Sequence, residues 1–128
     1  MAEEAQAVSV EEARKGIASQ EGERMRVIDI RSVDEFGEGH IAGAINVEDG
    51  DPEGVRAAID EAEPGAGRWL VVCGDGSRSQ EVASQLAGDE LDVAYLEGGV
   101  DAWIGDKHPI QPPPAETEYE GPKKKTLY

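Results

Sequence analysis

Apolar residues along this chain fall into short groups whose spacing switches between helical and extended. Ser9 and Glu12 have the spacing of a capping box, which satisfies free amides at a helix start, and Val10, Ala13 and Ile17 continue at helical intervals. Arg26-Val27-Ile28-Asp29-Ile30 is short, branched and largely apolar, as a buried strand should be. A second box, Ser32 to Glu35, opens a brief helix that Gly37 and Gly39 should stop. Ala44-Ile45-Asn46-Val47 suits another short strand, and the stretch 48–54 reads as a polar turn. Val55, Ala58, Ile59 and Ala62 then form the stripe of an amphipathic helix ended by Pro64-Gly65. Trp69-Leu70-Val71-Val72 is the most apolar run and predicts a central strand buried on both faces. A helix over 79–87 with Val82, Ala83 and Leu86 inward, a strand over 93–96, a break at Gly98-Gly99 and a last turn carrying Val100, Trp103 and Ile104 complete the series.

Strands alternating with helices in this rhythm predict an α/β domain with a mainly parallel sheet. The pattern stops beyond Pro109. Pro112-Pro113-Pro114 must be extended and little after it can be buried, so residues 1–110 are expected to form the domain and 111–128 a flexible tail. The length of 128 residues fits one domain, and no internal repeat is visible.

Charge narrows the class. Asp and Glu total 28 against 12 Lys and Arg, a net charge of −16, which argues against nucleic-acid or anionic-membrane binding because both need a basic face. Glu116, Glu118 and Glu120 balance Lys123 to Lys125 in the tail, so the whole excess lies on residues 1–110. No apolar run approaches the roughly 20 residues of a membrane helix, and the N-terminus lacks the features of a signal peptide, so a soluble cytoplasmic protein is expected. The acids are dispersed and lysines scarce, the composition of a protein adapted to a saline cytoplasm, with an acidic surface for a basic partner as the alternative.

A single cysteine, Cys73, excludes an intramolecular disulfide and leaves any sulfur chemistry to one thiol; no metal site is expected. It follows the apolar run directly, at the carboxyl end of the expected central strand, where open α/β sheets gather their active sites. Gly74 and Gly76 allow the backbone to curl so that several amides point into one hollow, and Arg78 and the helix start near Ser79 add positive potential favouring a thiolate. The bland alternative is a cysteine buried as a small hydrophobe. A nucleotide P-loop does not fit, since its spacing and lysine are missing.

Cys73-Gly74-Asp75-Gly76-Ser77-Arg78-Ser79 resembles the C-x-x-G-x-R-S active-site loop of the rhodanese (sulfurtransferase) superfamily. The segment from Asp29-Ile30-Arg31 through Glu35-Phe36 to Gly39-His40-Ile41-Ala42-Gly43-Ala44-Ile45-Asn46 is similar to that family's D-x-R…E-F…G-H-I-x-G-A-x-N pattern. Leu96-Glu97-Gly98-Gly99-Val100-Asp101-Ala102-Trp103 looks like its closing L-x-G-G-x-x-x-W motif. The match runs from about residue 9 to 110, in the right order and spacing.

The resemblance implies a five-stranded, mainly parallel sheet with helices on both faces. It also implies a Cys73 thiolate that takes sulfane sulfur from a donor and passes it from a persulfide to a thiophilic acceptor. Cys73 would be catalytic, with Gly74, Asp75, Gly76, Ser77, Arg78 and Ser79 holding the anion, no cofactor, and a sulfur donor and a thiol or protein acceptor as partners of a monomer. Asp29 and Arg31 are expected to brace the loop as an ion pair rather than touch substrate, and His40 to support the site structurally. Four residues separate Cys73 from Arg78, a six-residue loop as in sulfur-transferring members, whereas the related dual-specificity phosphatases have five between them; a phosphatase or arsenate reductase is the less favoured reading. A non-enzymatic interaction module is the rival from another class. Many thiosulfate-using members carry basic side chains around the loop, where this chain has Gly74 and Asp75, with Glu81 and Glu97 expected close by; such carboxylates would repel a dianion.

Charge dispersed this way predicts a salt-dependent fold, because at about 1 M salt the Debye length falls to roughly 3 Å and self-repulsion is screened. The thermal midpoint should rise steeply from dilute buffer to molar KCl. Equal stability at both would contradict the saline-adaptation reading.

Overall fold

The computed structural model describes residues 5–18, 25–62, 68–87, 92–108 and 110–111. Its elements run β1 (Gln6–Val8), α1 (Val10–Ala18), β2 (Met25–Asp29), α2 (Val33–Glu38), β3 (His40–Ile41), β4 (Ile45–Asn46), α3 (Pro52–Glu61), β5 (Arg68–Val72), α4 (Ser77–Ala87), β6 (Val93–Leu96), α5 (Gly99–Gly105) and β7 (Ile110–Gln111).

Five strands form one sheet in the order β1-β6-β5-β2-β4, with every pair parallel. β5 is central, pairing with β2 on one side and β6 on the other. Its alternating side chains feed two cores. Leu70 and Val72 join Val8, Ala13, Val27 and Leu96 on the face covered by α1 and α5, while Trp69, Val71 and Cys73 join Val55, Val82, Ala83 and Leu86 beneath α3 and α4. The period-2 alternation of a strand therefore places the thiol on the α4 face. The α/β class and the parallel five-stranded sheet expected from the sequence are both present.

Several local expectations are corrected. β1 escaped the pattern because two of its three residues are exposed and only Val8 is buried, where it pairs with Leu96. The stretch 48–54 is not all turn: Asp51 caps α3 through Oδ1 to the Gly54 amide at 2.8 Å, and Pro52 takes the first helical position, where its missing N–H costs nothing. α2 continues through Gly37 and stops only at Gly39. The strand expected at Ala44 to Val47 contracts to Ile45–Asn46, and the helix expected from Ser79 starts at Ser77. Gln111, expected in the tail, pairs across β3 with His40, forming a small antiparallel ribbon with Ile110 opposite Ile41. Pro64-Gly65 and residues 112–128 lie outside the described residues.

A buried charge pair locks the sheet edge. Asp29, fully buried at the end of β2, accepts from Arg31 Nε at 3.0 and 3.1 Å and from Nη2 at 2.9 Å, and also from the Arg31 amide at 3.0 Å. Arg31 Nη2 reaches on to the Gly39 carbonyl, and Asn46 Nδ2 donates to the carbonyls of Asp29 and Arg31 at 3.0 and 3.1 Å. β2, β4 and the start of β3 are thereby tied into one wall. Removing one member of a buried pair strands the other, so Arg31→Met should cost about 3 kcal/mol in denaturant unfolding. Arg31→Lys should recover part of it, since a lysine keeps the charge and loses the fork. Loss under 1 kcal/mol in Arg31→Met would show that the pair holds nothing together.

Candidate active site

β5 ends at Val72, and the chain turns through residues 73–76 into α4. Cys73 is 3% exposed, with its sulfur beneath that turn. Sγ accepts from the Gly76 amide at 3.1 Å and the Ser79 amide at 3.4 Å. The buried Ser79 hydroxyl donates to the Gly76 carbonyl at 3.1 Å and presents its oxygen to the thiol at 3.5 Å. Within the loop singled out in the sequence the roles divide: Gly76 and Ser79 face the sulfur, whereas the Ser77 amide donates elsewhere.

The carbonyls at the start of the loop also need donors, because an unpaired buried backbone group costs about as much as a lost hydrogen bond. α5 supplies two. The Val100 amide donates to the Cys73 carbonyl at 2.8 Å and the Asp101 amide to the Gly74 carbonyl at 2.9 Å. Approach this close requires Gly99, which has φ +67° and where a Cβ would collide with both carbonyls. Gly76 has φ +97°, and a Cβ there would press on the Leu96 carbonyl and the Gly98 amide at 3.2 Å. The Gly98-Gly99 break predicted before the last helix is therefore the back wall of the cysteine loop.

Asp75 takes the Ser77 amide at 2.9 Å and the Ser77 hydroxyl at 2.8 Å, both on Oδ1, which lies 3.9 Å from Sγ. The Ser77 amide and hydroxyl hold its carboxyl below the usual aspartate range. A hollow of about 330 Å³ opens over Cys73 and Gly74. Arg31 and Arg78 contribute cationic side chains to it; Glu35, Asp75 and Asp101 contribute carboxylates. Arg31 is committed to Asp29, whereas Arg78 is exposed and has no hydrogen bond or ion pair among the described residues. Asp101 was not foreseen from the sequence, because its place on the rim depends on how α5 docks. Glu97 lines a second hollow with Tyr95 and Gln80, sharing Asp75 and Ser77 with the first, and Glu81 lines neither. His40 is not part of the hollow lining: its Nδ1 donates to the Phe36 carbonyl at 2.8 Å and its ring stacks on Phe36 at 3.6 Å. Among the described residues no three His, Cys, Asp or Glu side chains group to hold a metal ion, and no helix is long and apolar enough to cross a membrane.

A parallel α/β sheet whose central strand delivers a cysteine into an amide-lined loop at a helix start defines the class, and the chain belongs to the Rhodanese-like domain family, matched over residues 9–106. It is 31% identical over 88 residues to Putative sulfurtransferase YtwF of Bacillus subtilis, covering 68% of this chain and 81% of that one. It is 33% identical over 84 residues to Thiosulfate sulfurtransferase GlpE of Shewanella oneidensis, covering 65% and 79%. Among solved structures, a rhodanese-related protein from Thermoplasma volcanium superposes with a TM-score of 0.67 at 24% identity, covering 82% of this chain and 96% of that one, a likeness of fold.

The Asp75 shift has a testable sign. A carboxyl whose folded value lies below its unfolded one contributes stability above the ordinary aspartate range, lost as pH falls through the depressed value. Carboxyl-carbon NMR should show Asp75 titrating below a free aspartate, and Ser77→Ala should move the midpoint back up. An ordinary midpoint in the parent protein would contradict the Asp75–Ser77 geometry.

Proposed function

We propose that this protein is a sulfurtransferase that carries sulfane sulfur on Cys73. The observation that supports this most directly is the sulfur itself, held by two inward amides at the foot of an open hollow. Such donors match an anion on a cysteine and cost no reorganisation when charge develops. The sulfurtransferase names of two relatives agree with it.

In the first half-reaction the Cys73 thiolate attacks the sulfane sulfur of the donor. The Sγ–S bond forms as the donor's S–S bond breaks, and the donor's remainder leaves as a thiolate, or as sulfite if the donor is thiosulfate. In the second, an acceptor nucleophile attacks the outer sulfur of the Cys73 persulfide and the Cys73 thiolate leaves. Cyanide, a small thiol or a protein cysteine would serve. Glu35, Asp75 and Asp101 outnumber the uncommitted Arg78 around the hollow, which disfavours a dianion. The physiological donor is accordingly a persulfide, with thiosulfate used slowly.

Intact mass after incubation with a persulfide donor in molar KCl should show a gain of one sulfur, removed by cyanide or dithiothreitol and missing in Cys73→Ser. No adduct from any donor would favour a binding module over an enzyme. A kcat/KM for thiosulfate far above that for a persulfide donor would overturn the donor assignment.

A further inference from the structure

We propose that Asp75 is the specificity-determining residue of this site, an internal anion that occupies the Ser77 amide and so competes with anionic sulfur donors for it. The inference rests on the sulfur-transfer reading of Cys73 and identifies which group selects the donor, and how.

The loop carries a second pair of donors besides the Gly76 and Ser79 amides: the amide and hydroxyl of Ser77. Both are taken by one carboxylate oxygen, at 2.9 and 2.8 Å. That oxygen lies 3.9 Å from Sγ. A sulfur added to Cys73 stands about 2.05 Å from Sγ, so it lies at most about 6 Å from the Asp75 oxygen whatever direction it takes. An incoming anion therefore meets a negative charge and finds the Ser77 donors already engaged. Asp75 and Ser77 also belong to the linings of both hollows, so a carboxylate that swings away would leave the Ser77 donors to the arriving sulfur and alter the boundary between them.

Thiosulfate suffers most. When the thiolate attacks its outer sulfur, the Sγ–S bond forms, the S–S bond to sulfite breaks and sulfite departs with the electron pair; three negative charges are present throughout. A persulfide donor brings fewer charges to the same place. Two effects are superposed, like-charge repulsion and loss of the Ser77 donors, and two substitutions separate them. Asp75→Asn removes the charge and keeps a side-chain oxygen that can accept from Ser77. Asp75→Ala removes both.

The test measures kcat/KM for thiosulfate and for cysteine persulfide, with cyanide as acceptor, in the parent protein and both variants. Thiosulfate kcat/KM should rise about threefold in Asp75→Asn and about tenfold in Asp75→Ala, the size expected of one partly screened charge and of that charge plus freed donors. The gain over cysteine persulfide should rise in the same order. Molar KCl should shrink the step from parent to Asn and leave the step from Asn to Ala. Equal values in Asn and Ala would overturn the competition for Ser77, and no gain in Asp75→Asn, which keeps the turn at the helix start, would overturn the inference even if Asp75→Ala unfolds. A parent protein that gains sulfur from neither donor would instead overturn the sulfurtransferase reading beneath it.

Discussion

The cysteine loop is anchored by two hydrogen bonds that its first carbonyls accept from α5. The Cys73 and Gly74 carbonyls accept from the Val100 and Asp101 amides at the start of α5, and that bonding anchors the start of the loop whose later amides, Gly76 and Ser79, face the sulfur. Left without those donors, the two carbonyls in this buried turn would each cost about as much as a lost hydrogen bond. Gly99 is what allows the approach, by leaving no Cβ between α5 and the loop. The cysteine loop is thus anchored by a segment some 25 residues downstream of it, and sheet order explains how: β6, which leads into α5, lies beside β5, which ends just before Cys73.

Charge enters the site in two layers. The Asp29 and Arg31 pair is buried and self-compensating, and its work is mechanical, joining β2 to the backbone at Gly39. The outer layer, Glu35, Asp75 and Asp101 with Arg78, is the exposed part of a body carrying a net charge of −16. Salt screens the outer layer far more than the inner one. The potential over Cys73 therefore responds to ionic strength far more than the buried pair does.

Much of this was legible in the residues. The run Trp69 to Val72 could be nothing but a central strand, and its period put Cys73 at the carboxyl end of the sheet; the capping boxes at Ser9 and Ser32 gave two helix starts that the structure retains, with Glu12 and Glu35 reaching back to the cap amides. What failed was short or depended on contacts from elsewhere. β1 and β7 are too brief to carry a hydrophobic period and exist because β6 and β3 offer an edge. Asp51 and Pro52 did carry a helix-start signal, overlooked because the surrounding residues are polar. The division of labour in the loop was not legible at all: a sequence of six candidate anion holders gives no hint that Ser77 donates to Asp75 while Gly76 and Ser79 donate to sulfur.

That division is the central claim, and amide NMR tests it most directly. In the ¹⁵N-labelled protein, loading Cys73 with sulfur in molar KCl should move the amide protons of Gly76 and Ser79 more than any others of the body, with the Val100 and Asp101 amides little changed because the carbonyls they hold stay in place. Large shifts at Val100 and Asp101 with Gly76 and Ser79 unmoved would contradict it, since the added sulfur would then not be held by the two amides that donate to Sγ.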